Sequence, residues 1–292
     1  MRPKSVNRKI REGLKLNNDD KGLNSFIAKT GLLFCGCWKK ARKAVENIGL
    51  TETELCFDEL PTSFNGKKVL FISDLHFPGF DGFTDKLDDM LRSLSFDYCF
   101  LGGDYSNGTG AFPELVEPCL KHLIKSIKRK TRNIYGILGN HDVYETAVFL
   151  ESQGVKMLLN DNDVIRCGSD IISIVGVDDN HNYRDTNWEL AEEKLDKDTF
   201  KILLSHSPDN YKTASDKNYQ IMLAGHTHGG QICIPPGIPV VTHTKARGRF
   251  VRGYWEYKQL KGYTSCGAGT SPIGARFFAN PEICLFTLKK QQ

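Results

Sequence analysis

Hydrophobic and polar positions change their rhythm along the chain. From Leu23 to Val45 the spacing is helical: Leu23, Phe26, Ile27, Phe34, Trp38, Ala41 and Val45 fall on one face. Lys29, Lys39, Lys40, Arg42 and Lys43 fall on the other, the pattern of a basic amphipathic helix. Gly31 and Gly36 work against an unbroken helix, at about 1 kcal/mol each relative to Ala. The stretch DELPTSFNGKK (58–68) ends this rhythm with Pro, Asn and Gly. Short β-rich runs follow: KVLFIS (68–73), DYCFLGG (97–103) and NIYGILG (133–139). They alternate with helical stretches near 84–95, 112–130 and 142–153, which predicts parallel βαβ units. The second half is mostly strand: DVIRC, DIISIVGV, FKILLSH, YQIMLAGH, FVRGYWEY and EICLFTL. The pattern predicts one α/β domain with a large mixed sheet or two packed sheets, over residues 61–290. Residues 1–60 are expected to be a separate basic N-terminal segment.

Charge sharpens that division. The chain has 292 residues and a net charge of +4. Residues 1–50 carry a balance of +8 and the remainder −4. The basic excess therefore points the N-terminal segment at an anionic surface such as a membrane, while no nucleic-acid partner is expected. No apolar run is long enough to span a bilayer: FIAKTGLLFCGCW (26–38) has 13 residues and includes Lys29, against about 20 needed. It also starts late and lacks a clear cleavage site for a signal peptide. A helix packed against the protein's own body would give the same stripe. The cysteines are nine, irregularly spaced, without a CxxC pair, and several lie in apolar runs, which reads as free thiols in a reducing compartment. The expected location is cytoplasmic, peripheral on the inner face of the cell membrane. Oligomeric state leaves no trace in the sequence.

Candidate chemistry sits where the β-runs stop. The first ends in Asp74-Leu75-His76, the second in Gly103-Asp104, the third in Gly139-Asn140-His141-Asp142. Two later runs end in Ser205-His206 and Gly225-His226-Thr227-His228. In open α/β sheets ligands bind beyond the carboxyl ends of strands, so residues far apart in sequence can converge there. Residues two apart in extended chain face the same way, which pairs Asp74 with His76 and His226 with His228. Each cluster alone is weak, since a lone His on a strand is more often a satisfied core residue. Five in order after five β-runs are not coincidence. A set of Asp, His and Asn without thiolate suits Mn, with Fe or Zn as alternatives.

The ordered motifs DLH, GGD, GNHD, SHSPD and GHTHGGQ resemble those of the calcineurin-like metallophosphoesterases over roughly residues 66–290. The tail CGAGTSPIGARFFANPEICLFTL is similar to a bacterial branch that holds membrane-linked phosphodiesterases and the UDP-diacylglucosamine pyrophosphatase of lipid A synthesis. The resemblance implies an α/β fold, a four-layer α/β/β/α sandwich of two mixed sheets. It implies two divalent metals: the first on Asp74, His76, Asp104 and His228, the second completed by Asn140, His206 and His226, with Asp104 bridging. It implies that His141 is catalytic, and Asp142 beside it is a candidate orienting partner. One departure is GDYSNG, with Asn107 where relatives often have Asp, and it removes no ligand.

The expected reaction is hydrolysis of a phosphodiester or pyrophosphate of a membrane-associated substrate such as UDP-2,3-diacylglucosamine. Arg247, Arg249, Arg252 and Arg276 are candidates for holding the rest of the anionic substrate, with a solvated surface as the plainer reading. Asp178, Asp179 and His181 could line the site, though they read first as loop residues. A soluble monoesterase or protein phosphatase would share the site chemistry. A non-catalytic scaffold would tend to lose ligands, and here every ligand position is filled.

Overall fold

The computed structural model describes residues 19–107, 114–179, 185–196, 198–271 and 273–291, with side chains from residue 26 onward. Two six-stranded sheets pack face to face. The first contains β1 (Gly49–Phe57), β2 (Lys68–Ile72), β3 (Tyr98–Leu101), β4 (Ile134–Gly136), β5 (Lys156–Met157) and β14 (Glu282–Lys290), in the order β1-β14-β2-β3-β4-β5. The second contains β6 (Asp161–Cys167), β7 (Asp170–Val177), β8 (Phe200–Ser205), β9 (Ile221–Ala224), β12 (Gly253–Tyr257) and β13 (Leu260–Thr264), in the order β12-β13-β9-β8-β7-β6. Both are mixed. Strands β2 to β5 run parallel, β14 is antiparallel to β2, and β7, β8, β9 and β13 run parallel between two antiparallel edge strands.

The strands are apolar on both faces because both are covered. In β2, Val69 and Phe71 enter the core between the sheets with Phe100, Ile202, Leu223 and Phe286. Their neighbours Leu70 and Ile72 face outward into a second core, under helices α3 (Phe83–Ser93), α4 (Val116–Lys128) and α5 (Tyr144–Ser152). A third core covers the second sheet's outer face, where Leu203, Met222 and Trp255 meet the short helices α6 (Trp188–Ala191) and α7 (Tyr211–Asp216). The result is the α/β/β/α sandwich expected from the motifs, and the helices fall within a few residues of the stretches expected for them.

Two expectations about the N-terminal part need correction. The stripe from Leu23 to Val45 is not one helix. Helix α1 (Asp19–Phe34) ends at a turn where Gly36 takes φ +69°, and α2 (Trp38–Lys43) starts after it. The two halves have different fates. Leu32 and Ala41 are buried against Ala275, with Trp38, Ile232 and Phe277 packed around them, and Arg276 N donates to the Ala41 carbonyl (2.9 Å). Phe26, Ile27, Leu33 and Phe34 stay exposed, Phe34 at 95%. Leu23 lies outside the described side chains. The division at residue 60 is also misplaced, since β1 pairs with β14 over nine residues from Gly49↔Glu282 to Phe57↔Lys290. Its LTETELCF alternation puts Thr51, Thr53, Leu55 and Phe57 on one face, burying Leu55 and Phe57 between the sheets, and turns Glu52 and Glu54 outward. The catalytic fold therefore begins by Gly49. Among the described residues no helix is long and apolar enough to cross a membrane.

Candidate metal centre

The carboxyl ends of β2, β3, β4, β8 and β9 point the same way, and all five polar clusters meet there. Two groups form. Asp74, His76 and His228 bring ligand atoms within 4.8 Å of one another, and so do Asp104, His206 and His226. All six are buried. Asn140 joins the second group, its Oδ1 lying 2.7 Å from His226 Nδ1 and 3.2 Å from His206 Nε2. Asp104 stands between the groups: its Oδ2 is 3.2 Å from His206 Nε2 and 3.7 Å from His76 Nε2. His76 Nε2 and His228 Nε2 are 2.9 Å apart, so both rings face one point.

The backbone around the site is held where side chains rarely go. Asp74, His76, Asp104, His226 and His228 all have φ between 46° and 70°, the left-handed region. Such geometry survives only when the surroundings impose it, and it gathers at functional sites. Close glycines permit it. A Cβ on Gly139 would lie 2.2 Å from Asp104 Oδ1, and one on Gly225 would lie 2.2 Å from Asp74 Oδ2.

Three rings are oriented for ligation by backbone carbonyls. Nδ1–H of His76 donates to Ser106 O (3.2 Å), Nδ1–H of His206 to Gly102 O (2.7 Å), and Nε2–H of His226 to His243 O (2.8 Å). Each leaves the opposite nitrogen facing the site, as partner groups do for metal-binding histidines. The donor set therefore fits two hard-to-intermediate cations. His228 fits less simply. Its Nδ1 lies 2.9 Å from Nη2 of Arg276, a donor, which favours the ring proton on Nε2.

Arg276 is thereby relocated. It is wholly buried, and its guanidinium donates to the carbonyls of His228 (2.8 Å), Gly267 (3.2 Å) and Gly269. It braces the His228 loop from behind and does not face arriving substrate. Arg252 is similarly engaged, with Phe278 O (2.9 Å) and Gly237 O (2.8 Å). Arg247 and Arg249 are exposed, on the segment between His243, whose carbonyl holds His226, and Val251, whose carbonyl accepts from Thr227 Oγ1 (2.6 Å). Asp142 departs from the expected orienting role. Its carboxylate accepts the N–H groups of Asp104 (2.7 Å), Tyr105 (2.8 Å) and Gly139 (2.8 Å), so it locks two ligand-bearing loops together. His141 is buried, its N–H donating to Asp104 Oδ1 (2.8 Å) and its ring edge-on to His76 at 5.2 Å. Asp178 and Asp179 are buried just beyond β7, and His181 lies outside the described residues.

Burial raises Asp74 to about 6. Burial also pushes Asp104 upward, but His206, His141 and His76 outweigh it and hold the carboxyl well below the usual range. For His206 burial acts downward and is overcome by Asp104, leaving the ring at about 10. A ligand nitrogen must be unprotonated. Loading the site at pH 7 therefore requires His206 to lose a proton, and below about pH 6 Asp74 must lose one as well. Metal uptake at pH 7 should release about one proton per chain, and affinity should fall as pH falls. Calorimetry in two buffers of different ionisation enthalpy measures this, and no net release would mean that Asp104 does not charge His206.

The profile of the calcineurin-like phosphoesterases matches residues 67–230, more than half of the chain and every candidate ligand. The chain belongs to that family. It is 28% identical over 288 residues to the uncharacterized metallophosphoesterase YkuE of Bacillus subtilis, covering 92% of this chain and 96% of that one. It is 28% identical over 242 residues to the phosphodiesterase YaeI of Escherichia coli, covering 76% and 82% respectively. A solved phosphopantetheinyl hydrolase, PptH from Mycobacterium tuberculosis, aligns with a TM-score of 0.44 at 11% identity, over 70% of this chain and 91% of that one. The chain is thus a metal-dependent phosphoesterase of the calcineurin-like family, with two candidate metal-binding clusters.

Sequence reading missed the partners that orient the ligands. Ser73 Oγ donates to Asp74 Oδ2 (2.6 Å), and the carbonyls of Gly102, Ser106 and His243 fix three rings. A carbonyl is common to every residue, so no sequence signal marks these.

Proposed function

We propose that this phosphoesterase cleaves a phosphodiester or pyrophosphate bond in a substrate held at an anionic membrane surface, on the cytoplasmic side, with UDP-2,3-diacylglucosamine as one candidate. The observation that carries the reaction class is the complete buried cage of Asp, His and Asn at five strand ends, with Asp104 between its halves. The similarity to a phosphodiesterase supports the diester preference. The exposed apolar and basic positions of α1 and α2 support the membrane location.

Asp74, His76, Asp104 and His228 would hold one cation and Asp104, Asn140, His206 and His226 the other, Mn first by donor type. Held there, two divalent ions would supply Lewis-acid charge to stabilise a phosphoryl group and favour water as the nucleophile at neutral pH. The chain's residues do the rest. Asp142 and Asp104 keep the two loops in register through backbone N–H groups. His141, its ring beside His76, gives a proton or hydrogen bond to the departing oxygen as a positioned general acid. Arg247 and Arg249 take the remaining anionic part.

The test is turnover by Mn²⁺-loaded protein of bis(p-nitrophenyl) phosphate, p-nitrophenyl phosphate and UDP-2,3-diacylglucosamine. The diester or the pyrophosphate should be the best substrate. Faster cleavage of the monoester would replace this reading with a phosphomonoesterase.

A further inference from the structure

Residues 231–252 follow directly on the GHTHGG loop. They form a two-stranded hairpin, β10 (Cys233–Ile234) and β11 (Ile238–Pro239), and a connecting segment. Ile234, Ile238 and Val240 are 55%, 55% and 56% exposed, and Phe278 beside the hairpin is 45% exposed. Nothing in the metal site uses these side chains. The hairpin is nonetheless tightly fixed. Cys233 N donates to Phe277 O (2.8 Å), Arg252 ties Gly237 O to Phe278 O, and a Cβ on Gly230 would meet Pro239 at 2.4 Å. A rigid element that keeps large apolar side chains in water is suited to a partner.

The charge of the same segment indicates which partner. Residues 231–252 contain four Lys or Arg and no Asp or Glu. Lys245, Arg247 and Arg249 are exposed. The base of the hairpin continues through Ile232 and Phe277 into the cluster with Leu32 and Ala41, so the end of α1 and the basic helix α2 adjoin it. Cationic charge around aliphatic tips fits the headgroup–acyl boundary of an anionic bilayer. A second copy of the face would repel its own charge. Nucleic-acid bases stack on aromatic faces, which Ile and Val lack.

We propose that the β10–β11 hairpin, with Phe278, is a lipid-contacting element in its own right and sets the mouth of the metal site against the membrane. This rests on the membrane reading above but assigns the contact to the catalytic domain as well as to α1. The experiment is co-sedimentation of the full chain with phosphatidylcholine vesicles, with and without phosphatidylglycerol as the anionic lipid, at low and high salt. Ile234→Asp with Ile238→Asp should weaken binding by about tenfold or more, and Val240→Trp should strengthen it. Turnover of bis(p-nitrophenyl) phosphate and the melting temperature should not change. Reversal of Lys39, Lys40 and Arg42 to Glu tests the N-terminal contribution separately. If the hairpin variants bind like the parent while the N-terminal reversal abolishes binding, the hairpin proposal falls and the membrane reading stands. If the parent fails to bind at low salt, both fall. If light scattering shows a dimer that Ile238→Asp converts to a monomer, a second copy covers the face and the proposal falls.

Discussion

Asp104→Ala is expected to abolish phosphoesterase activity and to strip metal from both clusters together. Asp104 faces His206 and His76 at once, at 3.2 and 3.7 Å. Its other oxygen accepts the His141 N–H, so the substitution also loosens the GNHD loop. Removing one preorganised polar contact from an active site costs about 10²–10³ in rate, and this change removes several together, so a loss beyond about 10³ is expected. His206 should respond in parallel. Without Asp104 its pKa drops from about 10, and the proton released on metal uptake at pH 7 should disappear. Elemental analysis of the purified variant beside the parent, with turnover of a chromogenic diester, reads the effect. A variant that keeps full activity, or a parent active in excess chelator, would sink the dinuclear assignment.

His141→Ala should behave differently: rate lost by about 10²–10⁴, both metals retained. The distinction rests on which atoms His141 uses. Its contact with Asp104 runs through the backbone N–H, which alanine keeps. Only the ring, edge-on to His76, is removed. A proton donor to the leaving oxygen matters most when that oxygen is basic, so p-nitrophenyl esters should lose less rate than alkyl diesters. If metal content falls in step with activity, His141 is a ligand and the donor role is wrong.

These predictions concern residues whose place could be read before their geometry. Strands buried on both faces are written as unbroken apolar runs, so the polar residue after each run stands out, and five such endings located the site. Less visible was anything that depends on who sits opposite. The β1 strand is hard to see because its inward face begins with two threonines and its outward face carries Glu52 and Glu54 at the sheet edge, leaving only Leu55 and Phe57 to mark it. Arg252 and Arg276 look like candidates for holding substrate because a sequence counts guanidinium groups without showing the carbonyls that surround them. Asp142 was adjacent in sequence to the catalytic histidine, yet the backbone turns it to the N–H groups behind. The left-handed φ values of five ligands are also silent, since Asp and His enter that region more readily than most side chains yet still adopt it only where the surroundings impose it.

The pairing of β1 with β14 has a consequence for synthesis. In the first sheet β14 lies between β1 and β2, so among the described residues β1 finds its sheet partner more than two hundred residues further on, and is synthesised well before it. Until residues 282–290 emerge, β1 is unpaired and β2 offers an open edge, while the four parallel strands β2, β3, β4 and β5 can already assemble. Closing so long a loop is the slow, entropically costly part of folding. During that interval the nascent chain carries two open sheet edges, the condition under which chains associate wrongly and chaperones are engaged. Loss of the final strand would therefore strand the first one too, and a chain truncated near residue 280 should be recovered from cells as aggregate.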